Sequence, residues 1–131
     1  MAPAETPSGF LRIAQRDLRA AKGMVDVTLF YEEHWGFQLQ QATEKALKAW
    51  LIHLGELPPL THDLNRLLRL LERHEVHTGD FRPLAQLTIY AVQFRYDADP
   101  QALGLDRKAF QQQVSQLLQD VELALQQMPG G

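Results

Sequence analysis

The side chains best suited to chemistry in this sequence are a run of amides and amines, Gln41, Lys45 and Lys48, spaced i, i+4 and i+7. On a helix that spacing puts all three on one strip. Two ammonium groups on one strip can meet a phosphate. The same residues have a plainer use, because Glu44 precedes Lys48 by four positions. A solvated pair of that kind contributes only about 0.2 to 0.5 kcal/mol. A second cationic strip follows, with His62, Arg66, Arg69 and Arg73 at i, i+4, i+7 and i+11, and a third precedes both, with Arg12, Arg16, Arg19 and Lys22. An amphipathic helix must carry something polar on its outer face, so neither strip is a site by itself.

Thr61-His62-Asp63 has a local explanation that needs no ligand. A threonine N-cap and an aspartate in the first turn both complement the free N–H groups and the positive end of a helix. His62 keeps the option of bonding a nucleotide or a second chain. Arg95-Tyr96 combines a guanidinium that can pair with phosphate and a ring that can stack on a base. Asp97, Asp99 and Asp106 read more simply as turn residues than as cation ligands. His74 and His77 lack further ligands at a zinc spacing, so no metal is expected. There is no glycine-rich phosphate loop of the Walker type and no nucleophilic serine motif.

The elements that must position these residues are all helical. Apolar positions Leu11, Ala14, Leu18, Ala21 and Val25 recur at steps of three and four from Gly9 onward, with Ser8 as the expected N-cap. A second helix is expected from about Leu29 to Leu54, with a stripe of Trp35, Leu39, Ala42, Ala46, Ala49 and Trp50 and with Gly55 as C-cap. Leu47, Leu51 and Ile52 give it a second apolar side, which suits either the centre of a bundle or a dimer face, and a dimer face is the expectation. Pro58-Pro59 make a tight connection to a third helix capped by Thr61 and carrying Leu64, Leu67, Leu68 and Leu71. Pro83 opens a fourth, running to about Tyr96 with Leu84, Leu87, Ala91 and Phe94 inside. The last helix carries Phe110, Val114, Leu117, Val121, Ala124 and Met128. The fold class is therefore all-α: an antiparallel up-and-down four-helix bundle with an additional helix, five in total. Residues 1–8 and 129–131 are read as tails around a helical domain over 9–128.

Composition narrows the function classes. The 131 residues have a formal net charge of -3, which argues against coating nucleic acid through bulk positive charge. With no cysteine, disulfides, thiolate zinc sites and thiol catalysis are excluded, and a cytoplasmic setting is expected. No signal peptide and no membrane span are expected.

Three blocks in this order, Gln40-Gln41-Ala42-Thr43-Glu44-Lys45-Ala46-Leu47-Lys48-Ala49, Thr61-His62-Asp63-Leu64 and Phe94-Arg95-Tyr96, resemble the pattern of the HEPN family, the "higher eukaryotes and prokaryotes nucleotide-binding" domains. The resemblance covers roughly 10–127. It implies a helical bundle, commonly a homodimer, often encoded beside a minimal nucleotidyltransferase. Ribonuclease members place a histidine after an arginine with four to six residues between them. If Arg95 is that arginine, the histidine falls at Pro100, Gln101 or Ala102, and none is a histidine. His34, His53, His62, His74 and His77 all precede Arg95. Arg69 and His74 meet the bare spacing, but five residues along a helix turn through about 140°, so they diverge.

The reading is a non-catalytic protein that binds a nucleotide, ATP or similar, or a nucleotidyltransferase, through Gln41, Lys45, Lys48, His62, Arg95 and Tyr96, with no other cofactor. The alternatives are a ribonuclease toxin of a toxin-antitoxin pair, using His62 across a dimer, and a dimeric interaction module without ligand. On the leading reading, Arg95→Ala should weaken nucleotide affinity by about 1.5 to 3 kcal/mol, the range for hydrogen bonds to charged groups, and leave thermal stability unchanged. Calorimetric titration beside a thermal melt checks this: unchanged affinity removes Arg95 from the site, and unfolding makes it structural.

Overall fold

The computed structural model describes residues 6–93 and 97–127. It contains α1 (Pro7–Gly23), α2 (Glu32–His53), α3 (Leu64–Arg73), a 3-10 helix (Gly79–Leu87) that runs into α4 (Thr88–Val92), and α5 (Arg107–Leu125). No strand occurs among the described residues. Phe94, Arg95, Tyr96 and Met128 lie outside them.

The starts of α1, α2 and α3 differ from the sequence expectation by two or three residues, each for a hydrogen-bonding reason. Thr6, not Ser8, caps α1: its hydroxyl accepts the Gly9 N–H at 3.0 Å, and Pro7 takes the first helical position, where its missing N–H costs nothing. Asp63, not Thr61, caps α3, its carboxylate accepting from the N–H groups of Asn65 (3.0 Å) and Arg66 (3.4 Å). Thr61 instead accepts the N–H of Asp63. The stretch before α2 is a turn, in which the Asp26 carboxylate accepts from Thr28 N–H (2.8 Å) and hydroxyl (2.6 Å), so α2 begins at Glu32 rather than Leu29. Gly55, at φ 89°, sits just past the Leu54 cap of α2, and bonds from Gly55 N to Ile52 O and from Glu56 N to Leu51 O close the helix end in a Schellman motif. The expected fourth helix is split, because Pro83 falls inside the 3-10 helix instead of opening an α-helix.

Chain direction follows from contacts at the two ends of the bundle. Trp35 Nε1 donates to Gln111 Oε1 (2.9 Å) near the starts of α2 and α5, and His53 Nε2 donates to the Gln127 carbonyl (2.9 Å) near their ends, so these helices run parallel. Arg107 at the start of α5 donates to the Met24 carbonyl (2.8 Å) just past α1, which therefore runs the other way. Tyr90 in α4 donates to Glu32 (2.6 Å) at the start of α2, so the 3-10 helix and α4 also oppose α2. The four members α1, α2, 3-10/α4 and α5 alternate in direction as expected, with α3 as the addition.

α2 packs against every other helix. Leu47 and Leu51, from its second apolar side, are fully buried within the chain beside Trp35, Leu39, Ala42 and Ala46. Leu47 and Leu51 are accounted for by the central position of α2 and form no dimer face, while Ile52 stays half-buried. Among the described residues no helix is long and apolar enough to cross a membrane.

α4 reaches α2 at Gly36, where a Cβ would stand 2.5 Å from the Tyr90 ring. Gly36→Ala should therefore destabilise the fold by about 1 to 3 kcal/mol, the usual cost of overpacking, measured as a lower denaturation midpoint. A midpoint equal to that of the unmodified chain would show that Tyr90 can move aside cheaply.

Candidate functional site

The strip chosen from sequence does come together, around Glu44. That carboxylate is 1% exposed. One of its oxygens is hydrogen-bonded by His62 Nδ1 (2.8 Å) and Gln40 Nε2 (3.1 Å), and the other by Lys48 Nζ (2.9 Å) and Lys45 Nζ (3.2 Å). Gln40 Nε2 also donates to the His62 carbonyl (3.1 Å), Gln41 Nε2 to Gln40 Oε1 (2.7 Å), and Lys45 Nζ to Gln41 Oε1 (3.1 Å). The block on α2 is thus a single network gripping the residue that precedes α3. His62 lies before that helix, so it is not a member of the arginine strip to which sequence spacing assigned it.

Burial alone would raise the Glu44 pKa, but the bonds from His62 and Lys48, the charge of Lys45 and the bond from Gln40 outweigh it and hold it down to about 2. Asp17 of α1 shifts upward, because its burial outweighs the nearby charges of Lys45 and Arg16. Two ammonium groups, Lys45 and Lys48, and the guanidinium of Arg16 stand near the two carboxylates here. Lys48 is nearly buried and committed to Glu44, whereas His62 keeps 48% of its side chain exposed with its Nε2 edge away from the carboxylate. The arrangement is first a lock between α2 and α3.

The open seam of α2 continues from this lock toward its N-terminus through Gln41, Gln38 and His34, at successive steps of three or four residues. It ends in a cavity of about 720 Å³ walled by the rings of Phe30, Tyr31, His34, Phe37 and Tyr90, with Glu33, Gln38 and Asp97 as polar edges. Tyr31 and His34 hold their rings 6.1 Å apart. The wall is fixed by Glu32, whose carboxylate accepts the Tyr90 hydroxyl and the N–H groups of Leu103 (2.7 Å), Gly104 (2.9 Å) and Leu105 (3.0 Å). Burial raises the Tyr90 pKa, and its bond to Glu32 raises it further, so the phenol stays protonated. Arg107, over the Trp35 ring at 5.6 Å, donates to the carbonyls of Met24 and Phe30 and ties the α1–α2 turn to α5.

A model of the HEPN domain matches residues 8–128. The chain belongs to the HEPN family. No curated protein and no solved structure matches it. In this HEPN chain the sequence candidates divide: Gln41, Lys45, Lys48 and His62 meet around Glu44, while Arg95 and Tyr96 fall outside the described residues. The cavity itself was missed. Its signal was available in the register, since His34 and Gln38 extend the Gln41–Lys45 strip back by whole turns. Among the described residues no three His, Asp or Glu side chains gather as a metal site.

The depressed pKa of Glu44 makes a pH prediction. A carboxyl held near 2 against an ordinary 4.5 contributes stability that is present above pH 4.5 and is lost as pH falls toward 2. Glu32, also depressed because its hydrogen bonds outweigh burial, adds to that slope, and Asp17 opposes it. Glu44→Gln should cost about 3 to 5 kcal/mol at neutral pH, as for breaking a buried ion pair, and should flatten the acid limb of the stability curve. Denaturant melts across this pH range check it, and a variant as stable as the parent at pH 7 would refute the lock.

Proposed function

We propose that this HEPN protein is a non-catalytic nucleotide-binding module, with the base seated in the aromatic cavity at the start of α2. The cavity carries the proposal. Its volume of about 720 Å³ falls in the range of small-molecule sites, and its walls supply stacking surfaces with a few polar groups at the rim. Rings such as Tyr31 and His34 suit stacking on a base, and the carboxylates of Glu33 and Asp97 suit hydrogen bonds from base N–H groups. The seam from His34 to Lys45 covers eleven residues of helix, about 16 Å, toward His62. That length suits a nucleotide with several phosphates or a short oligonucleotide better than a lone base.

The structural role of the groups around Glu44 supports the non-catalytic part of this reading. Lys45 and Lys48 are held by Glu44, and the ring of His62 is anchored to the same carboxylate. A homodimer and a minimal nucleotidyltransferase remain the partners proposed from family membership.

The test is calorimetric titration with ATP and with a short single-stranded RNA at two salt concentrations, beside a gel assay for RNA cleavage. Binding without cleavage is expected, and the double substitution Tyr31→Ala/His34→Ala should weaken it by about 1 to 3 kcal/mol, the contribution of one stacked base. Cleavage that survives repurification would replace this reading with the ribonuclease one. Silence with both ligands would remove the nucleotide.

A further inference from the structure

The outer face of α3 and the connection beside it form a surface that the lock and the cavity do not use. Arg66, Arg69 and Arg73 are exposed, opposite the buried Leu64, Leu67, Leu68 and Leu71, and none has an ion pair among the described residues. Neighbouring acids make their contacts elsewhere: Asp63 accepts from two backbone N–H groups at the helix start, and Glu72 accepts from Arg82 (2.6 Å) and Thr78 (2.6 Å). Glu75 lies beyond the helix end.

The connection from α2 runs back along α3. Glu56 meets His74, at the end of α3, at 2.7 Å, and His62 stands just before its start. Between them Leu57 is 88% and Leu60 102% exposed, on a segment stiffened by the half-buried Pro58 and Pro59. Three residues of extended chain separate the leucines, about 10 Å, and seven residues of helix separate Arg66 from Arg73, about 10 Å. An apolar row and a cationic row of equal length therefore run along the same unit.

We propose that this surface docks an acidic amphipathic helix of another protein, with carboxylates at steps of three or four against the arginines and apolar side chains against Leu57 and Leu60. Charge complementarity selects the occupant, since guanidinium groups pair with carboxylates in bidentate geometry. The described exposed face of α3 has no aromatic side chain on which the bases of a single strand could stack. A second copy of this chain does not supply the counterpart, because no described helix carries three carboxylates at that spacing. The backbones beneath both rows are constrained, one by the helix and the other by Pro58 and Pro59, which lowers the ordering cost of docking.

The experiment uses fluorescence anisotropy with the full chain and a short stapled helical peptide bearing a glutamate row at i, i+4 and i+7 beside a leucine row. Controls are the same peptide with lysines for glutamates, polyglutamate, and a single-stranded RNA. Binding of the acidic peptide is expected, weakening with salt. Both Arg66→Ala/Arg69→Ala/Arg73→Ala and Leu57→Ser/Leu60→Ser should weaken it by about tenfold or more, the first also removing most of the salt dependence. These side chains are exposed, so both variants should melt with the parent. Equal binding of polyglutamate, arginine-dependent preference for RNA, or self-association through these residues on size exclusion would each overturn the proposal. The nucleotide cavity lies at the other end of α2, so the Tyr31→Ala/His34→Ala variant should bind the peptide normally, which separates the two tests.

Discussion

A central helix buried on nearly every side cannot leave a charge inside without partners, and α2 carries two inward carboxylates, Glu32 and Glu44. Removing a carboxylate from water costs several kcal/mol unless hydrogen bonds and opposite charge repay it. Each carboxylate has drawn a different part of the chain onto α2. Glu44 collects Lys45, Lys48, Gln40 and His62 and thereby fixes where α3 begins. Glu32 collects Tyr90 and three successive backbone N–H groups and thereby fixes α4 and the stretch before α5. Twelve residues separate the two, about 18 Å along the helix, and the open seam with its cavity lies on that span. Among the described residues no buried side-chain polar atom is left without a partner.

Periodicity made the helices and their inner faces legible, because burial of a stripe at steps of three and four is written directly in residue types. Leu64, Leu67, Leu68 and Leu71 are all buried, as are Val114, Leu117 and Val121. Caps were less legible. Ser8 and Thr61 are as good in type as Thr6 and Asp63, and only the geometry of the first turn decides which oxygen meets an N–H. The 3-10 helix was invisible for a related reason: proline marks a helix start in sequence, and its place inside Gly79–Leu87 depends on tertiary packing of Phe81, Leu84 and Leu87.

The site was legible as a set of residues and not as a balance of charges. A glutamate four positions before a lysine reads as a solvated pair, whereas Glu44 is buried and serves four donors at once. Nor does residue type reveal that Arg107, one arginine among many, is buried against Trp35 and three carbonyls of the α1–α2 turn. Long-range hydrogen bonds of this kind depend on which loops the bundle brings together, and a helical stripe carries no record of that.

The blocks that carry the family resemblance, on α2 and at Thr61-His62-Asp63-Leu64, turn out to hold each other. Glu44 grips His62, Gln40 grips the carbonyl of His62, and Asp63 starts the helix that follows. Such a pattern identifies the fold because it builds the joint between α2 and α3. Side chains committed to one another have few donors left for a ligand. Exposed side chains lie elsewhere: Tyr31 and His34 at the cavity beside the start of α2, and the arginines and leucines of α3 and its connection. Two members of this fold could share the joint in full and differ entirely at those two surfaces, because nothing in the contacts that build the joint constrains the residues displayed there.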